Sequence, residues 1–322
     1  MTILARHPLA FGAATVGNLY RPLTDQEAVA TLEAAWAAGI RHFDTAPHYG
    51  LGLSERRLGE FLRDKPRDEF VLSTKVGRIL EPTQGPVTGD DMAHDFAVPR
   101  THVRRYDSSE SGVRRSLEES LDRLGLERVD ILYLHDPDAA PAGEAHALDV
   151  GLPALASLRD EGLVEAVGIG SKSLTALQAA ASSGLCDVLM VSSRITLLDH
   201  SATVSVLPSC REHGVQAIAV SIFNSGLLAR PRPASGSRYN YGEASAESVA
   251  RAHRIADVCE EHGVDLPTAA IAYPYRFEGV VACGVSASSA AQAQQTASRA
   301  ATTVPDALWA DLQSAGLIPE NR

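Results

Sequence analysis

Eight short apolar runs, parted by Ala-rich stretches of helical periodicity, leave few folds open to this chain. The runs lie at residues 9–15, 42–45, 70–76, 130–135, 167–171, 188–193, 217–223 and 280–285. Each is four to seven residues long and apolar almost throughout, the texture of a strand covered on both faces. Between them the spacing predicts helices at 24–38, 54–62, 109–124, 152–161, 174–183, 201–213, 245–262 and 288–300. The first opens on Thr24-Asp25-Gln26-Glu27, a capping-box pattern, and stops at Gly39. Several others stop at Gly125, Gly162, Gly184, Gly214 or Gly263. Eight strands alternating with helices are the count of a parallel (β/α)8 TIM barrel. The rival, a doubly wound open sheet, would carry G-x-G-x-x-G after its first strand, and Gly12 and Gly17 do not make that spacing. Without an internal repeat or linker, residues 1–322 read as a single α/β barrel domain, a length such barrels reach.

Two stretches break the rhythm. Residues 78–108 follow the third run and 224–243 follow the seventh. Connections this long usually serve a site, and in a barrel both lie on the C-terminal face, where active sites are built.

Polar side chains gather where the apolar runs stop. Asp44 closes the second run, with Thr45-Ala46-Pro47-His48-Tyr49-Gly50 behind it. Lys75 lies near the end of the third, and His135 closes the fourth. The chain has only three lysines, Lys65, Lys75 and Lys172, so one ending a buried strand stands out. A tyrosine hydroxyl, with a pKa near 10, is a poor acid or base at neutral pH. An ammonium beside it favours the phenolate, a carboxylate beside the ammonium keeps that charged, and a histidine can orient a carbonyl or hydroxyl. Such a quartet moves protons but carries no electrons, so redox chemistry would need a bound cofactor. Two other chemistries stay open on the residues alone. Lys75 at a strand end suits a Schiff-base aldolase, although Asp44 would hold it charged. His42 and Asp44 share a strand face by i, i+2 spacing, which a metal-dependent hydrolase could use; no further ligand cluster supports it, and no metal is expected.

Charge and composition narrow the partners. The net charge is −11, which argues against nucleic acid or an anionic membrane surface. No run approaches a membrane span, and no signal peptide is visible in the first 17 residues, so a cytoplasmic location is expected. Cys186, Cys210, Cys259 and Cys283 form no C-x-x-C pair and read as reduced, partly buried thiols. Arg104-Arg105-Tyr106 reads as a surface charge cluster. Met92, His94 and His102 lack ligand spacing.

The segment Gly39-Ile40-Arg41-His42-Phe43-Asp44-Thr45-Ala46-Pro47-His48-Tyr49-Gly50, with Ser54-Glu55, Leu58-Gly59, Lys75 and Leu132-Tyr133-Leu134-His135, resembles the aldo-keto reductase superfamily over nearly the whole chain. That resemblance implies a catalytic tetrad of Asp44, Tyr49, Lys75 and His135. It implies a nicotinamide dinucleotide extended across the barrel mouth, at Thr15, Asp44, Ser171, Lys172, Ser221, Phe223, Asn224, Leu227, Gly284, Ser286, Ser288 and Gln292. Gly17-Asn18-Leu19-Tyr20, residues 47–56, His135-Asp136-Pro137-Asp138, residues 194–198 and Phe223-Asn224-Ser225-Gly226-Leu227-Leu228 resemble one branch of that superfamily, the aldose 1-dehydrogenases acting on L-fucose or D-threo-aldoses. Pyridoxal 4-dehydrogenase is a relative of that branch. The branch implies oxidation of a cyclic hemiacetal at C1 to a lactone, with pyridoxal oxidation or general aldehyde and ketone reduction as alternatives. Leu19, Tyr20 and His48, with Tyr49 and His135, are then the expected substrate contacts, in a monomer or homodimer acting on a sugar or aldehyde.

Three departures stand out. Gly168-Ile169-Gly170-Ser171-Lys172 stands where many members carry Gly-Val-Ser-Asn, so Ser171 or Lys172 must serve the nicotinamide carboxamide. No aromatic falls at Val220-Ser221, leaving Phe223 to stack on the ring. Gly284-Val285-Ser286-Ala287-Ser288 lacks the cation that many members set against the 2′-phosphate of NADP. A charge-assisted contact of this kind is worth roughly 1.5–3 kcal/mol, and its loss favours NAD over NADP.

Overall fold

The structure, a computed structural model, describes residues 7–234, 236–240 and 242–320. Each apolar run forms a strand: β1 Leu9–Gly12, β2 His42–Asp44, β3 Val71–Val76, β4 Ile131–His135, β5 Ala166–Ser171, β6 Val188–Ser192, β7 Gln216–Val220 and β8 Val280–Val285. They pair in parallel with their sequence neighbours, and β8 closes on β1. Around them pack α1 Asp25–Ala37, α2 Leu53–Leu62, α3 Glu110–Leu124, α4 Glu144–Asp160, α5 Leu174–Ser182, α6 Ser201–His213, α7 Ala246–Glu261, α8 Leu266–Ala272, α9 Ala290–Ala300 and α10 Asp306–Ser314. The expected (β/α)8 barrel is the fold observed.

Alternation along the strands divides the core in two. Phe43, Leu72, Leu132, Leu134 and Ile169 point outward into the layer shared with the helices. Val71, Ile131, Tyr133, Ala166, Val188, Met190 and Ile218 fill the interior. Every strand is thus covered on both faces, which is why the runs read as continuously apolar. Gly168 marks the tightest contact: a Cβ there would lie 1.6 Å from the Val188 carbonyl oxygen, so β5 and β6 approach only because that side chain is missing.

Several boundaries differ from the sequence reading. The seventh strand stops at Val220, because Ser221 adopts φ 55° and turns the chain away. Helix α4 starts at Glu144 and runs through Pro153, whereas the reading began it at 152, where a proline suits a first turn. The sequence reading gives no helix at α8 or α10; α8, at seven residues, spans about two turns, too few for periodicity to declare. The 78–108 insert is ordered, pairing Arg78–Pro82 with His102–Tyr106 and Asp90–Asp91 with Phe96–Pro99 as antiparallel hairpins. The second insert carries a small hairpin, Arg238–Tyr239 against Gly242–Glu243; its residues 235 and 241 lie outside the described residues. All four cysteines are buried and unpaired with one another. Among the described residues no helix is long and apolar enough to cross a membrane.

Candidate active site

The last inward-facing residue of every strand lines one cavity of about 1200 Å³ at the C-terminal mouth: Gly12, Asp44, Lys75, His135, Gly170, Ser192, Val220 and Gly284. Three consecutive strands, β2 to β4, supply the titratable groups. The other five supply glycine, serine and valine.

Lys75 is the centre of the titratable half, with its side chain only 2% exposed. Its ammonium donates to Asp44 Oδ2 at 2.5 Å and to the Thr45 carbonyl at 2.9 Å. It lies 4.7 Å from the centre of the Tyr49 ring. Burial alone would pull the Lys75 pKa down, but Asp44 and Tyr49 outweigh it and hold the group above its ordinary value. Burial likewise pushes the Asp44 carboxyl upward, against the pull of Lys75 and of Ser73, whose hydroxyl donates to Oδ1 at 2.8 Å. A 2.5 Å contact from the lysine nitrogen to a carboxylate whose other oxygen accepts from Ser73 is that of an ammonium paired with a carboxylate, with the proton on the lysine.

Tyr49 reaches this point from the turn after β2. Thr45 Oγ1 and Ser54 Oγ lie 2.8 Å apart, and Ser54 donates to the Ala13 carbonyl. Glu55, fully buried, accepts from Thr74 Oγ1 and from Arg123. The Ser54-Glu55 pair therefore pins the Tyr49 turn to β1 and to β3 beside Lys75. It acts through framework, without touching the cavity.

Two imidazoles complete the wall. His48, Tyr49 and His135 meet edge to face, with ring centres 5.5–6.1 Å apart. Arg104 Nε donates to His48 Nδ1, and its Nη2 to the His48 carbonyl. With Nδ1 an acceptor, a neutral His48 carries its proton on Nε2. Burial, then the nearby Arg78 and Arg104 charges, drive the His48 pKa far down. Burial, then Arg78 and Lys75, do the same for His135. Both rings are neutral at physiological pH. Arg104 is not the surface cluster that the sequence suggested: its side chain is 5% exposed and bridges both oxygens of the buried Asp91. Arg105 does lie outward, paired with Glu81 and Asp107, while Tyr106 lines the cavity.

Of the other expected contacts, Leu19 and Tyr20 line the cavity, as do Thr15, Ser171, Lys172, Ser221, Phe223, Gly284, Ser286 and Gln292. Asn224, Leu227 and Ser288 do not. Positive φ at Ser221, Asn224 and Ser225 winds that segment inward, so that Asn224 is buried and Leu227 joins the core with Leu197 and Leu198. Ser288 is turned to Gln292, whose Oε1 accepts from its amide and hydroxyl. Arg78 and Asp136 were missed as site residues. They form a 2.6 Å ion pair and both line the cavity. Asp136 stands next to His135, but nothing in the sequence pairs it with a residue 58 positions away. Among the described residues no group of three or more His, Cys, Asp or Glu is placed to hold a metal ion; Asp44 is committed to Lys75 and Ser73.

The cavity exceeds the roughly 300–1,000 Å³ of a single small-ligand pocket, leaving room for a cofactor beside a substrate. Its neutral half offers hydroxyls and amides (Ser171, Ser192, Ser221, Ser286, Gln292, Gln295), donors and acceptors suited to ribose and carboxamide groups. Gly170 keeps the space before Lys75 open; a Cβ there would stand 3.8 Å from Lys75 Cε. These residues fit an extended nicotinamide dinucleotide.

A barrel whose mouth sets a lysine between a carboxylate and a tyrosine defines a class, and comparison with known proteins agrees with it. The model of the aldo/keto reductase family matches residues 8–316; the chain belongs to that family and is an oxidoreductase. It is 50% identical to a D-threo-aldose 1-dehydrogenase from a Pseudomonas species, over 98% of this chain and 96% of that one. It is 34% identical to a pyridoxal 4-dehydrogenase from Microbacterium luteolum, over 96% and 94%. Among solved structures, an aldo-keto reductase from Bacillus halodurans in its holo form shares the fold, with a TM-score of 0.73, 22% identity, and 95% and 91% of the two chains covered.

Proposed function

We propose that this protein oxidises a neutral aldose, as its cyclic hemiacetal, at C1 to the lactone. The observation that carries the reading is Lys75, which is paired with Asp44 and lies 4.7 Å from the Tyr49 ring centre at the floor of a cavity large enough for two ligands. Lys75 favours the Tyr49 phenolate, so Tyr49 can take the proton of the anomeric hydroxyl. Asp44 keeps Lys75 charged and placed. His135 and His48, both neutral, orient the reacting oxygen by hydrogen bonds and add no positive charge that would oppose loss of its proton. A nicotinamide cofactor, when bound, supplies the acceptor for the hydride that leaves C1. Oxygen loses a proton and carbon a hydride, and the C1–O single bond becomes the lactone carbonyl. Oxidised NAD is the cofactor this reading favours, because Ser286 stands in place of a cation at the end of β8.

An aldolase reading is weaker here, since imine chemistry needs a neutral amine and Lys75 is held charged. Pyridoxal, whose hemiacetal also yields a lactone, is the second substrate to try, because Tyr20, Phe96 and Tyr106 line the cavity. The resemblance to a D-threo-aldose 1-dehydrogenase supports the sugar. The test is a screen of L-fucose, D-arabinose, L-galactose and pyridoxal with NAD and with NADP, following reduced nicotinamide and identifying the product. Lactone formation from a sugar is expected. Turnover of simple aldehydes alone would overturn the reading.

A further inference from the structure

We propose that Arg78 and Asp136 act as one unit that reads neighbouring hydroxyls of a neutral sugar, and that their pairing excludes anionic sugars. The inference rests on the aldose reading above and names the feature of the substrate that the mouth selects.

Arg78 opens the first hairpin of the 78–108 insert, two residues beyond β3. Its side chain is 7% exposed, and its guanidinium lies 5.3 Å from the centre of the Tyr106 ring. A guanidinium has five N–H donors. Among the described residues its Nη2 donates to Asp136 at 2.6 Å, Nε is sealed from solvent without a partner, and Nη1 makes no hydrogen bond. Buried donors are rarely left unused, and the residue faces the cavity with Asp136 and Tyr106. Asp136 is equally deliberate. It holds φ 43°, a left-handed conformation unfavourable for a residue with a side chain. Its amide is anchored to the Gly170 carbonyl at 2.8 Å. Its Oδ2 is 3.6 Å from His135 Nε2, so the pair begins where the orienting imidazole ends. A fork of donors held over an aromatic ring and beside a carboxylate acceptor matches a sugar, whose adjacent hydroxyls each donate and accept.

Charge selects further. Four cations around this end of the cavity each have their own carboxylate: Lys75 with Asp44, Arg78 with Asp136, Arg104 with Asp91, Arg238 with Asp95. Lys172 and Asp138, the other charges acting on Asp136, oppose one another. Beside Arg78 the cavity therefore offers donors whose charge is already matched. There a uronate or sugar phosphate would set its anion against Asp136, with Arg78, Lys75 and Arg104 each committed to a carboxylate.

The experiment compares kcat/KM for L-galactose and L-galacturonate in wild type, Asp136→Asn and Asp136→Glu, with thermal melting of each. Wild type should favour the neutral sugar. Asp136→Asn frees the Arg78 charge and should move the ratio toward the uronate by about tenfold or more, the worth of a charged hydrogen bond; Asp136→Glu should restore the neutral preference. An unmoved ratio in a folded Asp136→Asn protein overturns the inference. Should that variant fail to fold, Arg78→Lys keeps the charge and loses the fork. It should raise KM for L-galactose by about tenfold with little change in kcat, and an unchanged KM overturns the inference. A wild-type enzyme that oxidises no neutral aldose defeats the aldose reading itself; one that oxidises L-galactose yet fails these variant tests defeats only this inference.

Discussion

The two halves of the barrel mouth solve different problems with the same scaffold. Strands β2, β3 and β4 end in Asp44, Lys75 and His135, buried groups that persist only because each finds a partner or gives up its charge. Strands β5 to β8 and β1 end in Gly170, Ser192, Val220, Gly284 and Gly12, residues that need no partner. The first half is a set of matched charges at fixed distances. The second is open space edged with hydroxyls. Chemistry demands the one, since a misplaced proton donor is useless. Holding a long dinucleotide demands the other, since many modest contacts suffice. Damage to the first half should be sharp and local, and changes to the second graded.

The sharpest break is Tyr49→Phe. It removes one oxygen from the titratable half and nothing from the neutral half. Turnover should fall by about a thousandfold, within the usual range for a positioned acid–base group. Binding of reduced nicotinamide, read by its fluorescence, should change less than about twofold. A variant with near-normal turnover would show that the phenol is not the proton carrier. Loss of cofactor binding would show that the halves are not separable.

A second break uses pH. His42 lies on the floor of the titratable half, inward like Asp44 two residues on. Burial lowers its pKa from 6.5 to about 4. Between those values the unfolded chain binds a proton that the folded one does not, so stability rises with pH across that window and is lost on acidification. Over the full window the shift is worth about 3 kcal/mol. Urea unfolding at pH 7 and pH 4.5 should reveal the loss, and His42→Gln should flatten this part of the curve. The Tyr49-dependent rate should show no imidazole inflection near pH 6.5, because His48 and His135 are neutral throughout. Such an inflection in wild type would contradict the charge-neutral wall.

The same contrast explains what the sequence disclosed. The strands were legible because burial on both faces leaves one signature, an unbroken apolar run. Asp44, Lys75 and His135 were legible because they interrupt those runs at a strand end. Tyr49 follows Asp44 within five residues, and the run from Gly39 to Gly50 is contiguous. Arg78–Asp136 and Arg104–His48 were not legible, because each joins positions more than fifty residues apart through an insert whose hairpin register no periodicity announces. Arg104 sits beside another arginine, which looks solvated until Asp91 is seen beneath it. In the neutral half Asn224 and Leu227 came from the resemblance alone; the left-handed turn at Ser221, which buries both side chains, is a backbone feature that no periodicity announces.

The gentlest test sharpens the neutral half. At the end of β8 the nearby cations are already engaged: Arg299 donates to Asp265 Oδ2 from Nε at 3.0 Å and Nη2 at 2.7 Å, and Arg21 donates to the Ser288 carbonyl at 2.8 Å. Ser286 lines the cavity without charge, beside Gly12, where a Cβ would come within 2.9 Å of its hydroxyl. A phosphate on the adenosine ribose would meet hydroxyls there, with Arg299 already paired to Asp265 and Arg21 holding a backbone carbonyl. Ser286→Arg adds one uncommitted cation at an edge that tolerates size on its solvent side. A charge-assisted contact worth roughly 1.5–3 kcal/mol should raise the NADP to NAD ratio of kcat/KM by about tenfold to a hundredfold. The rate with saturating NAD and the Tyr49 dependence should stay put, because the titratable half is untouched. A wild-type enzyme already preferring NADP, or a Ser286→Arg ratio that does not move, would mean that the ribose phosphate is read elsewhere along the groove.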